Sequence, residues 1–469
     1  MNRLISRARR GTKLALRRWI QTRGVRPPQL TPAHWGLADD LHRGLLLQGL
    51  ALAELLKKWG SPLHVVDAGV LQANAQRFQR PNGMAAGCEV FYSYKTNPVP
   101  GVLRVLHDQG IGAEAISHHE LWLARQMGMP PERIIFNGPG KSIEAIRDAV
   151  RMGVQTININ HAEEVQRVVA VARELGRKPR VGLRITTGQG WTAQFGTPVH
   201  GGAAMRAYAA AVSSGVLDVV GVHAHFGGMI RDRDTLLGGV NAVLDFVEEL
   251  ETQQNLTLAI LNFGGSLATP TVDHIHSRDQ RFNQTFHREL PEPDADHSLT
   301  IEDYVTTLMA AVRARYAQRN KPVPRVFLEP GRSMTGNSQM LVASVLSTKR
   351  VSDAHYLILD AGINIAESMR GEYHKIFPVR GSAGPASETW TVVGPICSPA
   401  DTLRYAWQAP PMVEGDAVVM MDAGGYFVPF STSFSYPRPA IVMVDGGVDT
   451  LIRRAENFED LIACDLPQS

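Results

Sequence analysis

A chain of 469 residues is too long for one small domain and suits two or three. Its 20% charged and 44% hydrophobic residues are those of a globular protein, which excludes a disordered or fibrous chain. Three widely spaced cysteines, Cys88, Cys397 and Cys464, exclude a disulfide framework and a cysteine-rich zinc site and fit a reducing cytoplasm, and no apolar run reaches the roughly 18 residues of a membrane span.

The net charge of +3 hides an asymmetry. Residues 1–30 form a basic extension with Arg3, Arg7, Arg9, Arg10, Lys13, Arg17, Arg18, Arg23 and Arg26 and no acid, so the remainder is net acidic. Leu4, Ile5, Leu14, Leu16, Trp19 and Ile20 add an apolar stripe. The arm suits an acidic partner, such as a carrier protein, or anionic lipid; the plainer alternative is a solvated extension. The apolar run and small-residue cleavage site of a secretory signal are lacking. No nucleic-acid motif appears.

From Leu63 to Glu329 short apolar segments alternate with amphipathic ones. The predicted strands are Leu63–Val66, Val90–Tyr94, Ala113–Ile116, Ile134–Phe136, Thr156–Ile159, Arg180–Ile185, Val219–His225, Leu258–Phe263 and Val326–Glu329. Glu120–Met127, Ser142–Met152 and Ala162–Leu175 read as helices between them. This alternation predicts an α/β architecture, a parallel (β/α)₈ TIM-type barrel over residues 63–332. After Arg332 the helical period fades and short strands with turns predict a β-rich C-terminal domain over 333–469. Residues 267–300 read as a long polar loop, a lid or a flexible segment. Its His274, His276, His287 and His297 follow no ligand spacing, so no metal site is expected.

Candidate reactive groups cluster at the C-terminal ends of the predicted strands, where such barrels place their chemistry. Lys95 follows the run Phe91-Tyr92-Ser93-Tyr94. A lysine beside aromatic walls can lose its charge by desolvation, and a neutral amine is a nucleophile that forms Schiff bases. Pyridoxal phosphate needs such an amine, a phosphate cradle and a group at its pyridine nitrogen. Gly264-Gly265-Ser266 offers small side chains through which backbone N–H groups can approach a phosphate. Glu329-Pro330-Gly331-Arg332 offers a guanidinium for the phosphate and, in Glu329, a carboxylate for the ring nitrogen. Each piece alone is weak: a lone strand-end lysine is most often solvated, and a Gly-Gly-Ser turn is most often a turn.

Seven segments in order resemble the fold type III pyridoxal-phosphate-dependent decarboxylases, the diaminopimelate, ornithine and arginine decarboxylase group that shares its barrel with alanine racemase. They are Tyr92-Ser93-Tyr94-Lys95-Thr96-Asn97, Ser117-His118-His119-Glu120-Leu121, His223-Ala224-His225-Phe226-Gly227-Gly228, Asn262 to Leu267, Glu329 to Arg332, Gly394 to Asp401, and Gly424-Gly425-Tyr426. The resemblance spans residues about 60 to 446. It implies that Lys95 carries the cofactor, that His225 stacks on its ring, and that Glu329 holds the ring nitrogen. It also implies that Gly228, Gly264, Gly265, Ser266, Gly331, Arg332 and Tyr426 surround the phosphate end. Cys397 is the implied proton donor, with Asp401 close to the substrate, both supplied by the second subunit of a homodimer with shared active sites. Residues 31–62 are expected to pack on the β-rich domain.

The departures lie mostly at the distal end of the substrate. Gly228 stands where the family has a phosphate-binding serine, and Ser266 replaces a third glycine. Ser398 stands where diaminopimelate decarboxylases carry a glutamate for the distal ammonium. Arg370-Gly371-Glu372-Tyr373-His374 lacks the proline and the spacing of their Arg-Pro-x-x-Tyr, and Gln194-Phe195-Gly196 replaces Lys-Phe-Gly. Arg370, Tyr373 and Ser398 are thus the candidate substrate contacts. The expected activity is decarboxylation of a diaminopimelate-, lysine- or ornithine-like amino acid or of an intermediate of specialised metabolism. The alternatives are a racemase on the same barrel, disfavoured by Glu329 in place of an arginine, and a non-catalytic homologue that binds the cofactor.

Overall fold

Eight short parallel strands hydrogen-bond side by side in chain order in the computed structural model. They are Cys88–Ser93 (β1), Gly112–Ala115 (β2), Ile134–Phe136 (β3), Thr156–Ile159 (β4), Arg180–Thr186 (β5), Asp218–Ala224 (β6), Ile260–Asn262 (β7) and Arg325–Leu328 (β8). β8 then pairs with β1, Phe327 opposite Glu89, and the barrel closes. The structure describes Trp19 and residues 29–190, 194–352, 354–380 and 386–466. Apart from Trp19, Gln29 and Leu30, the basic arm and its expected partner therefore lie outside the described residues.

The strands are rich in Val, Ile and Phe because a parallel strand is covered on both faces. Phe91, Ile135, Val220, Ile260 and Phe327 form one apolar cluster from five of them. Helix Ile143–Met152 shows how the sequence builds the outer layer. The Ser142 hydroxyl accepts from the Ala145 amide as an N-cap, Ala145, Ile146, Ala149 and Val150 are buried at helical spacing, and Gly153 ends the helix at φ 73°. Next to it, the ammonium of Lys141 and the carboxylate of Glu164 are both fully buried at 3.1 Å. Lys141 Nζ also donates to the Gly138 carbonyl at 2.7 Å, and Glu164 Oε2 accepts from the Asn160 amide. The pair thereby ties down the loop that leaves β3. The barrel unit comprises residues 68–270 and 296–336.

The second unit comprises, among the described residues, those up to Asp67, residues 271–295 and those from Asn337 onward. Its long strand Gln339–Val351 pairs antiparallel with Ala354–Leu359, Ala417–Met420 and Leu63–Asp67. Leu357, Leu359, Trp390, Val392, Trp407 and Phe427 belong to one of its cores. Leu37, Leu47, Leu52 and Leu55 from the N-terminal segment join Leu63, Val65, Val442 and Val444 in another.

Two expectations are corrected here. Leu63–Val66, expected as a barrel strand, belongs to strand Leu63–Asp67 of the β-rich sheet, where it also runs parallel to Ala440–Asp445. All five of its residues are buried, and an apolar strand covered on both faces reads the same in a barrel as in the middle of any sheet. Residues 267–300, expected as a loop, contain helix Ser277–Phe286. Only Asn283 of this helix is buried, so no apolar period announces it. Asn283 Nδ2 fastens it instead, donating to the carbonyls of Arg288 and Tyr405. Among the described residues no helix is long and apolar enough to cross a membrane.

Candidate active site

β1 ends at Ser93, and the chain turns through the single 3₁₀ turn Tyr94–Thr96. The turn is pinned by its aromatic neighbours. The Tyr92 hydroxyl pairs with Thr335 Oγ1 at 3.1 Å, and the Tyr94 hydroxyl with His107 Nε2 at 2.8 Å. Lys95 is left half-buried at the rim, its Nζ 2.6 Å from Ser93 Oγ and 3.1 Å from Glu114 Oε2. Ser93 Oγ also donates to the same carboxylate oxygen. The amine is therefore held at a fixed point by a buried carboxylate from β2.

Glu329 follows β8 and is also buried. Its Oε1 accepts from Asn137 Nδ2 at 2.9 Å and from Asn262 Nδ2 at 2.6 Å, while His223 Nε2 lies 3.4 Å from Oε2. Burial alone would raise this carboxyl; the nearby His223 and the two amides outweigh it and hold the group below the usual carboxylate range. Glu329 is thus an anion at neutral pH, aimed by side chains from β6, β7 and the end of β3. His225 is pushed the other way, down to about 3, first by burial and then by the cations Arg184 and Lys95. Its ring is neutral at working pH, and Nδ1 accepts from the Gly227 amide at 3.2 Å, which leaves the proton on Nε2. Glu120, in the first turn of the helix after β2, is raised to about 7 by burial, with Glu114 adding to the effect.

Glycine turns follow β6, β7 and β8. Gly264 has φ +65°, and a Cβ on Gly265 would stand 1.8 Å from the Glu329 carbonyl oxygen, so no side chain fits there. Gly228 is exposed, and a Cβ there would meet nothing within 4 Å. Gly331 lies against Thr96, and Arg332 opens a single helical turn. Ser266 departs from expectation: it is fully buried, and its Oγ accepts from the Phe226 amide at 3.0 Å. Its hydroxyl braces the preceding turn.

In the β-rich unit Cys397 is exposed on the loop that starts at Gly394. Asp401, expected to face the substrate, is buried instead, with Oδ1 accepting from the Ile363 amide and Oδ2 from the Ile396 amide. A Cβ on Gly362 or Gly394 would come within 2.5 Å of its oxygens. Asp401 therefore shapes the loop that presents Cys397 and Ser398. Tyr373 is likewise buried in the apolar core, under the guanidinium of Arg404, with its hydroxyl on Glu292 Oε1 at 3.4 Å. It is not presented to a substrate. Arg370 is half exposed, 3.7 Å from Glu367. Tyr426 has φ +72° and stacks on Phe430.

The family described as pyridoxal-dependent decarboxylase, pyridoxal binding domain, matches residues 71–336, more than half of the chain. The chain belongs to this family. Among its relatives, diaminopimelate decarboxylase of Aquifex aeolicus is 28% identical over 433 residues, 89% of this chain and 94% of the relative. That of Archaeoglobus fulgidus is 27% identical over 433 residues, 89% and 96%. The crystal structure of diaminopimelate decarboxylase from M. jannaschii in co-complex with L-lysine superposes with a TM-score of 0.81 at 25% identity, covering 92% of this chain and 98% of that one.

The decarboxylase is a pyridoxal-phosphate-dependent carboxy-lyase. Its residues fit the cofactor. They supply an anchored amine, a buried anion held ready for a protonated ring nitrogen, a neutral imidazole, and three glycine turns at neighbouring strand ends, one of which excludes any Cβ. Among the described residues no group of three His, Cys, Asp or Glu side chains is placed for a metal ion. Sequence reasoning did not single out Ser93, Glu114, Asn137 or His223, and quoted Asn262 without a role. One signal was available: a glutamate inside the short predicted strand Ala113–Ile116, observed as Gly112–Ala115, has no solvent face to occupy.

Proposed function

We propose that the decarboxylase removes the α-carboxylate of a diaminopimelate-like amino acid whose distal end is recognised differently from that of diaminopimelate. The carrying observation is that the Lys95 amine and the ionised Glu329 stand at the ends of one hydrogen-bonded series, Lys95–Glu114–Asn137–Glu329. Bound pyridoxal phosphate supplies the electron sink that decarboxylation needs. Lys95 binds it through Nζ, with Ser93 and Glu114 orienting that atom. Glu329 keeps a proton on the ring nitrogen, the state in which the sink is strongest. His225, neutral, packs on the ring without adding charge. Gly228, Gly264, Gly265, Gly331 and Arg332 take the phosphate. Cys397 of a second copy delivers the proton to Cα, on a loop held by Asp401. A racemase on the same barrel is expected to carry an arginine in place of Glu329 and a second acid/base group on the opposite face of the ring.

The distal reading rests on Ser398 in place of an anion and on Tyr373 being committed to the core. A hydrogen bond to a charged group is worth roughly 1.5–3 kcal/mol, so losing two lowers specificity for meso-diaminopimelate by a few orders of magnitude. Arg370 and helix Ser277–Phe286 are where other contacts would arise. The test is kcat/KM for meso-diaminopimelate, lysine, ornithine and arginine. The expected ranking puts diaminopimelate well below a dedicated enzyme; an efficiency of about 10⁴ M⁻¹s⁻¹ or above would return the conventional substrate.

A further inference from the structure

Asn137 is the first residue after β3 and is buried. Its Nδ2 donates to Glu114 Oε1 and to Glu329 Oε1, each at 2.9 Å. Its Oδ1 accepts from Asn158 Nδ2 of β4 at 2.7 Å. Every polar atom of the amide is therefore used, and its orientation is settled: turned over, its oxygen would face two carboxylates. Asn158 has room because β5 carries Gly182 beside it, where a Cβ would lie 2.3 Å from Asn158 Oδ1. The backbone is fixed as well. The Asn137 amide donates to the Ala115 carbonyl at 2.7 Å, and buried Lys141 holds the next carbonyl, that of Gly138.

Two buried carboxylates bonded to one amide repel, and the ordinary outcome for such a pair is that one takes up a proton. Glu114 has Lys95 beside it, and Glu329 has His223. Arg184 on β5 acts on both, itself pulled down by burial. His225 after β6 and Glu120 after β2 are further titratable groups beside them. Asn137 hydrogen-bonds both anions through one N–H₂ group. We propose that Asn137 is a positioning residue that holds Glu114 and Glu329 in one hydrogen-bonded unit, keeps Glu329 ionised beside a second carboxylate, and so links the amine end of the cofactor site to its ring-nitrogen end. When the charge on Lys95 changes, Glu114 loses its cation, and the shared N–H₂ group keeps that change from forcing a proton onto Glu329.

The link rests on Glu329 facing the ring nitrogen, and the test separates the two claims. Asn137→Leu keeps the shape and removes both donors. Losing donors to an anion raises its pKa, so the acid limb of the kcat profile moves to higher pH, by about one unit. The acid transition of the bound cofactor's visible absorbance, read without substrate, moves with it. KM changes little. In a Glu114→Gln background the like charge is gone, and the same substitution produces less than half the shift. Curves that overlay wild type while only the melting temperature falls would reduce Asn137 to a brace and overturn the proposal. Equal shifts in both backgrounds would overturn it too, because Asn137 would then serve Glu329 alone. If Asn137→Leu does not fold, Asn137→Ser is judged by the same curves. A Glu329→Gln enzyme with unchanged turnover would instead remove the ring-nitrogen assignment itself.

Discussion

Lys95→Ala is expected to leave no borohydride-stable bond between cofactor and protein and to lower turnover by at least about 10²–10⁴-fold, the loss typical of a single proton-transfer group and a lower bound here. The reason is positional. Nζ is fixed by Ser93 and Glu114 at the rim of β1, and the turn that carries it is locked by Tyr92 and Tyr94. Lys141 lies in the barrel unit too, but is fully buried against Glu164 and cannot take over. Peptide mapping after reduction checks the claim: the adduct belongs on Lys95, and finding it on another lysine would contradict the assignment.

The second large effect is at Glu329. Glu329→Gln preserves shape and can still meet Asn137 and Asn262, so cofactor binding is expected to survive. Turnover is expected to drop on the order of a hundredfold or more, because a preorganised charge at the site of developing charge is lost. The pH dependence follows from the same group. Burial opposes its ionisation, but the nearby His223 and the two amides hold its pKa below the ordinary value. A lowered carboxyl contributes stability that is complete above its unfolded-state pKa and disappears as pH falls through the folded value. Wild type should therefore lose that contribution only in strong acid, and Glu329→Gln should lack it throughout. Steady-state kinetics and denaturation against pH measure both; unchanged turnover would refute the role.

What the sequence revealed and what it hid have physical causes. Lys95, His225, Gly264 and Glu329 were legible because chemistry in this architecture sits at strand ends, and strand ends can be read from where apolar runs stop. Glu114, Asn137 and His223 come from separate strands and share no spacing; only closure of the barrel brings them together. Leu63–Val66 was placed in the wrong sheet because a strand covered on both faces carries no record of its neighbours. Asp401 and Tyr373 were read as substrate contacts from the family resemblance, yet backbone amides take up the carboxylate of Asp401 and the core takes up Tyr373. Polar type alone does not say which way a side chain is used.

The central claim is that the carbon–carbon bond to the α-carboxylate breaks and that Cα then takes a proton. The direct measurement uses diamino acids labelled with ¹³C at the α-carboxyl, with the gas and the amino products followed together by mass spectrometry. The account predicts one labelled CO₂ for each product molecule that has lost its carboxyl, and none from Lys95→Ala. Accumulation of the substrate's mirror-image isomer with the label retained would contradict it.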